Sequence, residues 1–145
     1  IWAGFGSRGV HCFRLDGTHQ WSRDLGRMTT KLMFGEGSSP ALAGEALIVV
    51  MDHEGQSAIH ALDKNTGETV WKTSRTTEWK DLQEDGQYVR EGDFHKAFCT
   101  PIVIEWEGRP QLISPQLRCG ACGYHSVSAP RGNSTIAASS SGRSV

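Results

Sequence analysis

Cysteine, histidine and paired carboxylates are the groups with most chemical reach in this 145-residue sequence, which has four Cys and six His. Cys119-Gly120-Ala121-Cys122 followed by His125 has the spacing of half a zinc site. A closed tetrahedral site takes four ligands, and Cys12 and Cys99 supply no second pair. A redox reading of the same Cys-x-x-Cys needs a helix that opens after a strand, and Tyr124 to Ser128 offers no such pattern. Asp52-His53-Glu54-Gly55 brings only two carboxylates to one turn, whereas calcium gathers a larger set of oxygens. A solvated hairpin is the expectation there. His53, His60 and His95 are dispersed, and no Ser or Cys stands beside a paired base, so a hydrolase triad is unsupported. The residues thus designate no catalytic, cofactor-binding or metal-ligating position. Asn133-Ser134-Thr135 is a glycosylation sequon only in a secreted eukaryotic chain.

The elements that would position side chains are short strands. Seventeen Gly and a hydrophobic fraction of 37% favour turns over long helices. Asp16-Gly17 joins Val10–Leu15 to Thr18–Arg23 as a two-residue hairpin, the pair being suited to positive φ. Leu47-Ile48-Val49-Val50-Met51 is a continuous apolar run, the pattern of a strand covered on both faces. Ala58–Asp63 and Glu68–Thr73 form a second pair around Lys64-Asn65-Thr66-Gly67. Thr100–Glu105 and Gln111–Ser114 form a third around Glu107-Gly108. No apolar run approaches the roughly 20 residues of a membrane-crossing helix. Fifteen basic residues against sixteen acidic ones give a net charge of -1, which leaves no bulk positive field for nucleic acid.

That balance hides an asymmetry, because every acidic residue lies at or before Glu107. Beyond it stand only Arg109, Arg118, Arg131 and Arg143 as charges. From Gln116 onward the chain is rich in Gly, Ser and Ala without apolar periodicity, so residues 116–145 are expected to be poorly ordered or the product of a frameshift. Ile1 opens in a segment that already reads as strand, from which we expect the natural N-terminus and any export signal to lie outside this sequence.

Self-similarity is the strongest signal. Gly17 to Trp21 and Gly67 to Trp71 both read Gly-x-x-x-Trp, 50 residues apart. Ser39-Pro40-Ala41-Leu42 is echoed by Thr100-Pro101-Ile102-Val103 after 61 residues, which places an insertion of about eleven residues in the polar stretch from roughly 75 to 98. Units of roughly 40–50 residues with four strands each are the signature of propeller blades. A Trp on an outer strand would bury about 200 Å² on the next blade. The Thr66 hydroxyl and the Asp63 carboxylate would satisfy turn backbone groups, and Gly67 would take the positive φ.

Ala61-Leu62-Asp63-Lys64-Asn65-Thr66-Gly67-Glu68-Thr69-Val70-Trp71 resembles the tryptophan-docking motif of the pyrroloquinoline-quinone-type (PQQ-like) β-propeller repeat family. Ala61, Asp63, Thr66, Gly67 and Trp71 match every defined position. An earlier copy, Phe13 to Trp21, keeps Asp16, Gly17 and Trp21, puts Phe13 in place of the Ala, and shortens the loop by two residues. The resemblance covers roughly residues 1–115. It implies an all-β fold, a partial β-propeller of about two blades' worth of four-stranded antiparallel sheets, with the remaining blades outside this chain. The family holds quinoprotein dehydrogenases, with quinone and calcium, and non-catalytic propellers of the outer-membrane assembly type. The dehydrogenases typically carry a vicinal disulfide, and no Cys-Cys pair occurs here. The resemblance therefore implies a non-catalytic platform without a cofactor, binding a protein partner through its channel rim or insertion loop, in an exported bacterial protein of the periplasm or cell envelope. A fragment of a PQQ-dependent dehydrogenase is the alternative.

Overall fold

A computed structural model of the chain describes residues 1–30, 37–75, 83–87, 99–116 and 123–128. Within them lie ten strands and one short 3-10 turn, Gly6–Arg8, and no α-helix. The strands are β1 (Trp2–Gly4), β2 (Val10–Phe13), β3 (His19–Arg23), β4 (Ala41–Ala43), β5 (Ala46–Met51), β6 (Ala58–Asp63), β7 (Thr69–Ser74), β8 (Ile102–Trp106), β9 (Arg109–Gln116) and β10 (Gly123–Ser128). They form three antiparallel sheets in the orders β1-β2-β3, β4-β5-β6-β7 and β10-β9-β8, none closed into a barrel. The all-β class is as the sequence leads one to expect. Among the described residues the central sheet has four strands and its neighbours three each.

The central sheet is covered on both faces, which is why β5 has no polar residue. Ile48 and Val50 of β5, with Ile59 and Ala61 of β6, pack towards Leu112 of the third sheet. Leu47, Val49 and Met51, with Leu62, pack towards Val10 and Trp21 of the first. Strand alternation sends successive residues to opposite faces, so a two-faced core demands the unbroken run Leu47 to Met51. All six residues of β5 are buried.

The short segments that carry the Ser-Pro and Thr-Pro echo lie side by side. Ser39 N donates to Thr100 Oγ1 at 3.3 Å and Ser38 Oγ to Cys99 O at 3.1 Å. Pro40 in turn touches the first sheet at Gly4, where an added Cβ would meet its ring at 3.4 Å. The leading strands of the three sheets, β1, β4 and β8, therefore follow one another along one side of the molecule.

Two turns differ from expectation. Asp16-Gly17 is not a two-residue hairpin: Arg14 N bonds Thr18 O at 2.8 Å and Gly17 N bonds Arg14 O at 3.0 Å, closing a five-residue turn with a bulge at Cys12/Phe13. Glu107-Gly108 does form a two-residue turn, both residues having positive φ (51° and 68°) and Trp106 pairing with Arg109. At the C-terminal end, where poor order is expected, Gln116 closes β9 and Gly123–Ser128 pairs with β9 over six residues. The rest of 116–145 lies outside the described residues. So does most of the expected insertion, apart from an exposed turn at 83–87 held by Gln83 N to Gln87 O at 2.8 Å.

Candidate functional site

The motif residues meet where one sheet lies against the next. Ala61 is fully buried and sits opposite Trp71 in the β6–β7 ladder, just before a bulge. The Asp63 carboxylate accepts from Asn65 N (2.8 Å) and Thr66 N (2.9 Å), and these bonds hold its pKa below the ordinary aspartate value. Thr66 Oγ1 accepts from Glu68 N at 3.2 Å, and Gly67 turns with φ +75° while its N–H bonds Asp63 O at 2.9 Å.

The earlier copy superposes on this turn with a one-residue offset from the sequence alignment. Cys12, not Phe13, stands opposite Trp21, in the place Ala61 holds opposite Trp71. The loop is then one residue shorter rather than two. Asp16 takes the part of Thr66, not of Asp63: its Oδ1 accepts from Thr18 N at 2.9 Å, two residues on, and that bond lowers its pKa. Gly17 repeats the positive φ at +86°.

Trp21 leaves the first sheet and lies on the turn of the second. An added Cβ on Gly67 would fall 2.6 Å from Trp21 Cε3 and 2.9 Å from Cδ2, so the indole face rests directly on that glycine. Trp21 Nε1 donates to Lys64 O at 3.3 Å, and Trp2 Nε1 donates to the same oxygen at 2.8 Å. Nothing lies within 4 Å of the corresponding Cβ position on Gly17. Trp71 packs against the cluster of Ile48, Val50, Ile59, Ala61 and Leu112, against which Val103 of the third sheet also packs. Its Nε1 is buried and has no hydrogen-bond partner among the described residues.

Sequence reasoning missed two polar groupings. The turn Asp52–Gly55, expected to be solvated, is largely buried: Asp52, His53 and Glu54 are each less than a tenth exposed. The segment after β3 folds across it. Thr29 N and Gly55 N donate to His53 Nδ1 at 3.2 and 3.1 Å, and Glu54 N donates to Thr29 O at 3.0 Å. Asp52 pairs with Arg75 at 2.9 Å, both side chains 2% exposed, and Arg75 Nη1 reaches Ser114 Oγ of β9 at 2.8 Å. This latch ties the second sheet to the third. Its only sequence trace is an Asp and an Arg each placed directly after an apolar-bearing strand. A small, partly open pocket of about 40 Å³ beside Val10, Met28, Val49 and Asp52 has room for a few waters.

The second missed grouping is on the outer face of the first sheet, away from the core. His11 and Ser22 are cross-strand partners, and His19 follows on the same face beyond the bulge. Ser22 Oγ lies 2.8 Å from His11 Nδ1 and 2.6 Å from His19 Nε2, and His11 Nε2 lies 3.1 Å from Arg8 O. Of the histidines considered from sequence, His53 and His60 lie apart from this group and His95 falls outside the described residues. No group of three or more His, Cys, Asp or Glu with the geometry to hold a metal ion occurs among the described residues. Cys12 is buried and free, Cys99 exposed and free, and Cys119 and Cys122 fall outside the described residues.

Among the described residues the class of protein defined so far is all-β, with three antiparallel sheets, the first joined to the second through Trp21 and the second to the third through Arg75. No protein-family model matches the chain, and no curated protein matches it either.

Proposed function

We propose that the chain is part of a PQQ-like β-propeller that serves as a non-catalytic binding platform, in an exported bacterial protein. The observation that carries this reading is the seat of Trp21 on Gly67, with its Nε1 on Lys64 O, which joins two successive sheets face to face through a repeated motif. In this reading Trp71, which packs against the cluster that includes Leu112, plays the corresponding part towards the third sheet. The order of β1, β4 and β8 along one side supports a common axis on which the leading strands converge. The partner in this reading is a protein that docks on the channel rim or on the insertion at about 75–98.

The dehydrogenase alternative would place its quinone and calcium residues outside this chain; within it, the two carboxylates of the Asp52–Gly55 turn are buried and Asp52 is engaged by Arg75. A photo-cross-linking residue placed at Gln83 or Gln87 in cell envelopes should trap a discrete protein adduct, and the same residue at Asp16 should not. Absence of adducts from the loop and from the rim would refute the platform. Titration with pyrroloquinoline quinone and calcium should leave the quinone absorbance unchanged; a saturable spectral change would refute the non-catalytic reading.

A further inference from the structure

The imidazoles on the outer face of the first sheet are arranged around a single oxygen. Arg8 O can only accept, so the contact at 3.1 Å puts the proton of neutral His11 on Nε2. His11 Nδ1 then presents its lone pair to Ser22 Oγ. Ser22 has one hydroxyl proton, which it gives to His11, and it accepts from His19 Nε2. An imidazole whose second nitrogen is fixed by a backbone carbonyl is the arrangement that orients histidine as a metal ligand.

The two rings stand close enough to converge on one ion. The ring centroids of His11 and His19 are 6.1 Å apart with planes inclined at 58°. Two imidazoles on a tetrahedral zinc-sized cation at about 2.1 Å per nitrogen have centroids roughly 5.3 Å apart, so the rings must close by roughly 0.8 Å and displace Ser22 Oγ from between their nitrogens. Phe5 meets His11 edge-on at 5.4 Å and Phe13 meets His19 in the same way at 5.4 Å.

We propose that this face binds one divalent transition-metal ion between His11 Nδ1 and His19 Nε2, with the Ser22 hydroxyl beside it. His19 moves its proton from Nε2 to Nδ1 through solvent, and water fills the remaining positions. Imidazole ligands without a carboxylate select zinc, copper, nickel or cobalt over calcium and magnesium. The proposal does not rest on the propeller reading.

The test is a Zn²⁺ titration of the whole chain carrying Cys119→Ser and Cys122→Ser, followed through the imidazole nitrogen resonances at pH 7.5. The His11 and His19 signals should move together and saturate at one ion per chain, while His53 and His60 stay fixed. His11→Ala or His19→Ala should weaken binding at least tenfold, and Mg²⁺ should have no effect. If His11 and His19 do not respond to millimolar Zn²⁺, or the double His11→Ala, His19→Ala variant binds as well as its parent, the site does not exist. The resonance shifts are read on intact histidines, so a variant that fails to fold leaves the test decisive.

Discussion

Gly67→Ala separates the effect of an indole from the effect of a turn. Two costs arise at Gly67. Placing a Cβ at φ +75° costs about 1–2 kcal/mol, offset by the roughly 0.4–1 kcal/mol that alanine gains through a less flexible unfolded chain. The new methyl also falls 2.6 Å from Trp21 Cε3. The ring cannot swing away freely, because Nε1 is held by Lys64 O and the indole packs on the cluster of Leu47, Val49 and Leu62. Forcing a methyl into such packing costs about 1–3 kcal/mol. The expected loss is therefore about 2–4 kcal/mol. Gly17→Ala has the same kind of φ, +86°, and open space, so it should lose only about 1 kcal/mol. Urea denaturation followed by tryptophan fluorescence reads both, with an unchanged m-value as the sign that the folded state is the same. In a Trp21→Ala background the cost of Gly67→Ala should drop to that of Gly17→Ala, a coupling of about 1–3 kcal/mol. Equal losses at the two glycines, or a coupling below about 0.5 kcal/mol, would refute the docking argument.

Three other outcomes follow from the same packing. His60 is buried beside Lys72 and Arg23, and burial first, then those two charges, push its pKa down to about 4. The unfolded chain binds the proton near 6.5 and the folded chain does not, so stability is full above pH 6.5 and declines towards pH 4. The decline is at most about 3 kcal/mol, and about 2 with solvent screening, and His60→Leu should flatten it in pH-dependent urea melts. Asp52→Ala leaves the Arg75 guanidinium buried without its carboxylate and should cost about 3–5 kcal/mol, while Asp52→Leu with Arg75→Met should recover most of that in thermal denaturation. Trp21→Phe removes a hydrogen bond, whereas the buried Trp71 N–H has no partner among the described residues, so denaturation should show the Trp21 variant to be less stable than Trp71→Phe by about 1–2 kcal/mol.

Local chemistry was legible in the sequence and long-range chemistry was not. The bonds within Asp63–Glu68 span at most five residues, so composition and order were enough to foresee the turn. The two-faced burial of Leu47–Met51 was equally readable, because an unbroken apolar strand has no polar side to give to water. The one-residue slip at Cys12 arose because a bulge changes the facing pattern without altering residue types. Burial of Asp52–Glu54 depends on Thr29 and Arg75, more than twenty residues away on either side, and local polarity gives the opposite impression. Strand β10 was missed for a related reason: it adds to β9 by main-chain pairing, which Gly- and Ser-rich sequence does not advertise. His11, Ser22 and His19 are ordinary surface residues until the β2–β3 register sets them together.

The oxygen of Lys64 takes both the Trp2 and the Trp21 indole N–H, one from each outer strand of the first sheet. The receiving half of this joint is main chain, available from any residue at position 64. Substitutions there can accumulate over evolutionary time without loosening the joint, as long as the neighbouring glycine persists. The joint thus makes its demands on the two indoles and the glycine, and none on the side chain at position 64.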